Sequence, residues 1–224
     1  MNLALFDLDN TLLSGDTDVE WYAFLTEKGA LSEADQQANA DMDRRYRAGA
    51  ANALEYVRFY LRPYPRQDMA RLLAWREAFV RERIAPHMLP RARELLASHR
   101  NDLVAIITAT NRFLTEPIAQ AFNVEHLIAT EPEIVDGRFT GDVVGEPCMR
   151  EGKITRLNEW LAQRAQALSR FSKSVFYSDS INDLPLLERV TDPVAVDPDD
   201  RLKRIARERG WRSISLRAPP AEAR

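Results

Sequence analysis

Cysteine is almost absent from this 224-residue chain: Cys148 stands alone, so no internal disulfide can form. Histidine is scarce too, and His87, His99 and His126 are scattered without metal-ligand spacing, which leaves them structural roles. No run of 18 apolar residues and no charged start followed by an apolar stretch is present, so neither membrane insertion nor export is expected, and the cytoplasm is the expected compartment. The net charge of -3 offers no broad field for nucleic acid or an anionic membrane, and no repeat or low-complexity stretch appears. What remains is a soluble globular protein, 45% hydrophobic and 29% charged, whose expected partner is a small molecule; nothing in the sequence speaks to oligomeric state.

The chain alternates strand-like and helix-like segments. Residues 3–6, 103–108 and 174–177 are short apolar or β-branched runs without alternation, as in parallel strands covered on both faces. Helical spacing follows Thr108, at Leu114, Ile118, Ala121 and Phe122 with Pro117 expected in the first turn, and again follows Lys153, at Ile154, Leu157, Trp160 and Leu161. A short strand near 194–196, a helix from about 200 and a last strand near 213–216 complete an α/β pattern. Asp136-Gly137 between two strand-like runs marks a β-hairpin. Between the first and second strands, residues 16–84 contain only helical patterns, with Trp21, Tyr22, Phe59, Tyr60 and Trp75 as core aromatics. The expected division is a core of 1–15 and 85–217, a helical insertion of 16–84, and a disordered tail of 218–224.

Carboxylates cluster at the expected strand ends. Asp7 and Asp9 in "LALFDLDNTLL" follow the first strand, and Asp179 and Asp183 in "VFYSDSINDLPLLE" follow another. In open α/β sheets ligands gather beyond the carboxyl ends of strands, where these acids would repel one another without a cation. Oxygen ligands without nearby His or Cys favour a hard ion, Mg²⁺. Thr108, expected to end its strand, and Lys153, at a helix start after Gly152, suit phosphoryl oxygens, and Asn182 adds an amide; a phosphate monoester is the ligand these groups fit. Singly, each has an ordinary explanation: an Asp pair as a turn or N-cap, Lys153 as a solvated helix residue.

Together, "DLDNT", "IITAT", "GK" and "YSDSINDLP" resemble, in order, the four motifs of the haloacid dehalogenase superfamily of phosphatases, and the helical insertion is similar to the cap of its phosphoserine phosphatase-like branch. The resemblance implies a Rossmann-like parallel sheet with a cap inserted after the first strand. It implies Asp7 as the nucleophile that becomes an aspartyl phosphate and Asp9 as acid and base. It implies Mg²⁺ held by Asp7, Asp179 and the Asp9 carbonyl with Asp183 in support, and a phosphoryl group gripped by Thr108, Ala109, Lys153 and Asn182. "TAT" and "SDS" depart from that branch's Ser-Gly-Gly and Gly-Asp-Gly by adding side chains near the phosphate.

In the similar enzymes an acidic residue after the first motif meets the substrate amine, a role open to Asp18 or Asp16; helix N-capping is the alternative for each. Arg44, Arg45 and Arg47 could meet a substrate carboxylate, though a solvated helix face explains them as well. "ATNRF" and "YSDSINDLPLLE" look closer to phosphatases of histidine synthesis, which makes L-histidinol phosphate the expected substrate and phosphoserine the alternative. A phosphotransferase would share the catalytic residues. A receiver-like phosphoacceptor would need neither Asp9 nor a cap.

Overall fold

A computed structural model describes residues 2–217, apart from the side chains of Asp43 and Arg47. The expected tail of 218–224 lies outside the described residues. The first strand, β1 (Leu3–Phe6), leads into four helices: α1 (Thr17–Glu27), α2 (Glu33–Arg47), α3 (Ala53–Leu61) and α4 (Met69–Phe79). Then follow α5 (Pro90–Ser98), β2 (Leu103–Asn111), α6 (Arg112–Ala121), β3 (His126–Thr130), β4 (Pro132–Val135) and β5 (Arg138–Val143). The chain continues through α7 (Glu151–Ala162), β6 (Ser174–Ser178), α8 (Leu184–Leu187), β7 (Asp192–Val196), α9 (Asp200–Glu208) and β8 (Arg212–Ile214).

Six parallel strands form one sheet in the order β3-β2-β1-β6-β7-β8. The alternation of side chains along β1 explains its continuous apolar run: Leu3 and Leu5 join one buried cluster with Leu157 of α7 and Leu202 of α9, while Ala4 and Phe6 join another with Leu96 of α5 and Ile118 of α6. Strand order runs outward one way from β1 to β3 and the other way from β6 to β8. The reversal leaves a crevice beyond the carboxyl ends of β1 and β6, the place where such sheets bind ligands.

Each of the four α-helices of the 16–84 block begins on a side-chain cap. Asp16 accepts from Val19 N and Asp68 from Arg71 N, while Ser32 with Asp35 and Asn52 with Glu55 form reciprocal capping boxes. α2 was not anticipated from apolar spacing, because its only inward apolar stripe among the described residues is Ala38, Met42 and Tyr46, four residues apart among charged and amide side chains. The two crossings into and out of the block run antiparallel: Leu13 bridges Met88, Ser14 N donates to His87 O at 2.9 Å, and Leu89 N donates to Leu12 O at 3.3 Å.

Several expectations need correction. Pro117 lies inside α6, not in its first turn. A proline there leaves the Phe113 carbonyl without its helical N–H, and Arg76 Nη1 of α4 donates to that oxygen at 3.0 Å, so the break in the ladder becomes a tie between helical block and core. β2 does not end at Thr108 but runs to Asn111, and its register with β3 shifts between Ile107 and Asn111. β3 itself was not expected, and the last strand is Arg212–Ile214, ending earlier than anticipated. The hairpin is present, with Asp136 at φ 50° and Gly137 at φ 73°, both left-handed as a two-residue turn of this kind requires. It packs on the helical block and on α6: the Phe139 ring lies 5.1 Å from Tyr64 of the block and 5.1 Å from Phe113 of α6, and Arg58 donates twice to the Asp142 carboxylate at 2.8 Å.

Candidate active site

Asp7 continues the ladder one residue past β1, its N–H donating to Tyr177 O at 2.9 Å, so its side chain emerges beside the end of β6. The loop then folds back on itself, with Leu12 N and Leu13 N both donating to Leu8 O and Asn10 in the left-handed region at φ 58°. That fold places Thr11 Oγ1 between two carboxylates, 3.2 Å from Asp7 Oδ2 and 3.1 Å from Asp179 Oδ1, while it accepts from Asp179 N at 3.1 Å. A hydroxyl has one proton, so Thr11 can serve only one of the two acids at a time.

The remaining cation is committed. Lys153 Nζ donates to Asp7 Oδ1 and Asp183 Oδ2, each at 2.7 Å, and Asp183 Oδ2 also accepts from Ser178 Oγ at 2.7 Å. Far from a solvated helix residue, Lys153 is 2% exposed. Burial alone would lower its pKa, but Asp183 and Asp7 outweigh burial and raise it, so the ammonium stays charged. Asp7 and Asp183 therefore share one ammonium. Burial pushes Asp179 up to about 9, with Asp7 and Asp183 adding to the effect. Burial also lifts Asp183 to about 6 despite Lys153 beside it. An Asp7–Asp179 pair short of positive charge, with oxygen donors only, fits a hard divalent cation. Among the described residues no three acidic, His or Cys side chains converge as a ligand set, so such an ion would rest on two carboxylates, backbone oxygen and water.

Asp9 points elsewhere. Its Oδ1 accepts from Thr17 N at 2.8 Å and from Thr17 Oγ1, and its Oδ2 accepts from Thr110 Oγ1 at 2.7 Å. Asp9 lines the pocket and is raised to about 7, chiefly by burial and then by Asp16. Thr110 Oγ1 also lies 3.3 Å from Asp18 Oδ2, and Asp18 is raised well above the ordinary carboxylate range by burial, Asp16 and Asp9. Asp16 caps α1, whereas Asp18 in the first turn does not; both line the pocket.

The register shift in β2 brings Thr108, Ala109 and Thr110 to the pocket wall, with Thr108 Oγ1 accepting from Thr110 N at 3.2 Å. Asn182 completes that side. Tyr46 of α2 and Tyr56 of α3, their rings 4.4 Å apart, line the same pocket with Met149. The cavity measures about 250 Å³. Of the candidates singled out from sequence, Asp7, Asp9, Asp16, Asp18, Thr108, Ala109, Lys153, Asp179, Asn182 and Asp183 reach it. Arg44 and Arg45 do not; both are exposed, and Arg44 pairs with Asp41 at 3.1 Å. The Arg47 side chain is outside the described residues. Sequence reasoning missed Thr11, Thr17, Thr110, Tyr46, Tyr56 and Met149. Thr11 was within the quoted first motif, but nothing local marks the two tyrosines, whose place depends on how α2 and α3 dock.

Residues 4–188 match the family model of haloacid dehalogenase-like hydrolases. A histidinol-phosphatase of Neisseria meningitidis is 41% identical over 220 residues, covering 96% of this chain and 99% of that one. A phosphoserine phosphatase of Mycobacterium tuberculosis is 32% identical, with 99% of this chain aligned to 73% of its length. Among solved structures, a protein of unknown function from Bordetella pertussis Tohama I superposes with a TM-score of 0.92 at 46% identity, covering 96% of this chain and 98% of that one.

Proposed function

This chain belongs to the haloacid dehalogenase-like hydrolase family and is a phosphatase, and from that premise we propose a Mg²⁺-dependent phosphomonoester hydrolase that works through an aspartyl phosphate and acts on L-histidinol phosphate. We take residues 1–15 and 85–217 as its catalytic core and 16–84 as a cap; among the described residues no helix is long and apolar enough to cross a membrane.

The observation that carries the substrate choice is the set of ionisable residues lining the pocket. Among its described lining residues are Asp7, Asp9, Asp16, Asp18, Asp179 and Asp183, against the single cation Lys153, which is already held by Asp7 and Asp183. A substrate bearing its own carboxylate, such as phosphoserine, finds no free guanidinium or ammonium there. A protonated amine or imidazolium finds Asp18, Asp16 and the faces of Tyr46 and Tyr56.

In this reading Lys153, Thr108, the Ala109 backbone and Asn182 hold the phosphoryl oxygens. An Asp7 oxygen attacks phosphorus while the bond to the leaving oxygen breaks, and Asp9 delivers its proton to that oxygen. The now ionised Asp9 takes a proton from the water that attacks the aspartyl phosphate, releasing inorganic phosphate and restoring Asp7. Thr17 and Thr110 hold Asp9 in place for both transfers. Mg²⁺, held by Asp7, Asp179 and the Asp9 carbonyl with Asp183 behind them, supplies neutralisation of phosphoryl charge.

Phosphate release from L-histidinol phosphate and O-phosphoserine, each with Mg²⁺ or with EDTA, tests the proposal. The expected result is release abolished by EDTA, and kcat/KM for histidinol phosphate at least ~100-fold higher, since a carboxylate among buried acids is unpaired. A preference for phosphoserine would overturn the substrate, and full activity in EDTA would overturn the metal. Asp18→Asn is expected to raise KM for histidinol phosphate roughly tenfold by removing one charge-assisted contact. The same substitution should affect amine-free p-nitrophenyl phosphate far less; equal losses on both esters would remove Asp18 from amine recognition.

A further inference from the structure

The turn that delivers Lys153 is built under two local constraints. An added Cβ at Gly152 would lie 2.0 Å from Pro147 O, so the chain passes where no side chain fits. Arg150, just before α7, has φ 54° and ψ −123°, a conformation that residues other than glycine rarely hold. Its backbone gives no reason for an arginine there; its side-chain contacts do.

Arg150 Nε donates to Asn182 Oδ1 at 3.3 Å, and the guanidinium lies over the Tyr46 ring, 4.7 Å from its centroid. A guanidinium carries donors only, so this bond requires the amide oxygen of Asn182 on the arginine's side and leaves the amide NH₂ on the other. Asn182 lines the catalytic pocket, and Arg150 does not. An amide turned the opposite way would offer an oxygen lone pair to an anion. Tyr46 lines the same pocket from α2, its hydroxyl donating to Met149 Sδ at 3.4 Å.

We propose that Arg150 is a positioning residue for phosphoryl recognition, fixing the Asn182 amide with its NH₂ toward the phosphate and holding the Tyr46 ring against the core. The inference rests on the phosphatase reading above. Arg150 acts through those two side chains and need not touch the substrate, so it differs from the residues that grip the phosphoryl group.

Steady-state kinetics of wild type, Arg150→Met, Asn182→Ala and the double variant, with inorganic phosphate as competitive inhibitor, provide the test. Arg150→Met should raise both KM and the inhibition constant of phosphate roughly tenfold, with kcat changed less than about threefold, because ground-state phosphate binding is what the amide serves. In the Asn182→Ala background it should add little further to either constant, the non-additivity of two residues acting through one contact. Arg150→Gly, which relieves the backbone, should melt no lower than wild type yet show the same weakened phosphate binding. Unchanged KM and phosphate inhibition in Arg150→Met, or the full tenfold effect on top of Asn182→Ala, overturns the inference. Wild type that hydrolyses no phosphomonoester overturns the phosphatase reading itself, and the role of Arg150 falls with it.

Discussion

Asp7→Asn abolishes turnover: kcat falls at least ~10⁴-fold for every phosphomonoester, because an amide cannot serve as the nucleophile. The substitution is close to isosteric, and its side-chain oxygen can still accept from Lys153, which donates to Asp7 Oδ1 in the wild type. It also removes one of the acids that face each other across Thr11. The fold should therefore survive, with a melting temperature within a few degrees of wild type, about what a change of 1 kcal/mol produces in a domain of this size. Thermal melting and phosphate release on the same preparation check this. A folded Asp7→Asn protein retaining a tenth of wild-type turnover would show that the nucleophile lies elsewhere.

The second large effect belongs to Asp9. Its pKa near 7 means that it is mainly protonated below that pH and mainly ionised above it. Departure of an alkoxide needs the proton, so the first step slows as pH rises past about 7; activation of water needs the bare carboxylate, so the second slows as pH falls below it. Turnover of an alkyl phosphate should peak near neutrality. Asp9→Asn should remove that dependence and lower kcat for the alkyl ester by roughly 10²–10⁴-fold, the usual contribution of a positioned acid or base. With p-nitrophenyl phosphate the leaving phenolate needs no proton, so the first step persists while the second is crippled, and a burst of nitrophenol should precede slow turnover. Equal losses on the two esters with no burst would assign the proton transfers to another group.

The parts of this protein that were legible in its sequence are those set by local chemistry. β1, β2 and β6 announced themselves as unbroken apolar runs because the sheet is buried on both faces. The hairpin turn was marked by Asp136-Gly137, a pair that tolerates positive φ at both positions. The acids at the ends of β1 and β6, together with Lys153, could be brought together on paper because strand ends in a parallel sheet share one edge.

Hidden features depended on tertiary placement. Among the described residues α2 has an apolar stripe of Ala38, Met42 and Tyr46 alone, and its start is held by Ser32 and Asp35 rather than by apolar periodicity. β3 is a five-residue run on the sheet edge with no turn signal of its own. The approach of Tyr46 and Tyr56 to the pocket follows from the docking of two helices, and a left-handed arginine at 150 leaves no compositional trace. Thr110 shows a subtler limit: its hydroxyl reaches Asp9 because β2 slips register after Ile107, a shift that no propensity predicts.

Asp7 phosphorylation is most directly tested by acid-quenching Asp9→Asn enzyme mixed with radiolabelled p-nitrophenyl phosphate and Mg²⁺, followed by locating the label. About one protein-bound phosphate per active site is expected, in a hydroxylamine-sensitive acyl linkage on Asp7, and none in the Asp7→Asn, Asp9→Asn double variant. Phosphate released by the wild type with no label on either wild-type or Asp9→Asn protein would contradict an aspartyl-phosphate mechanism.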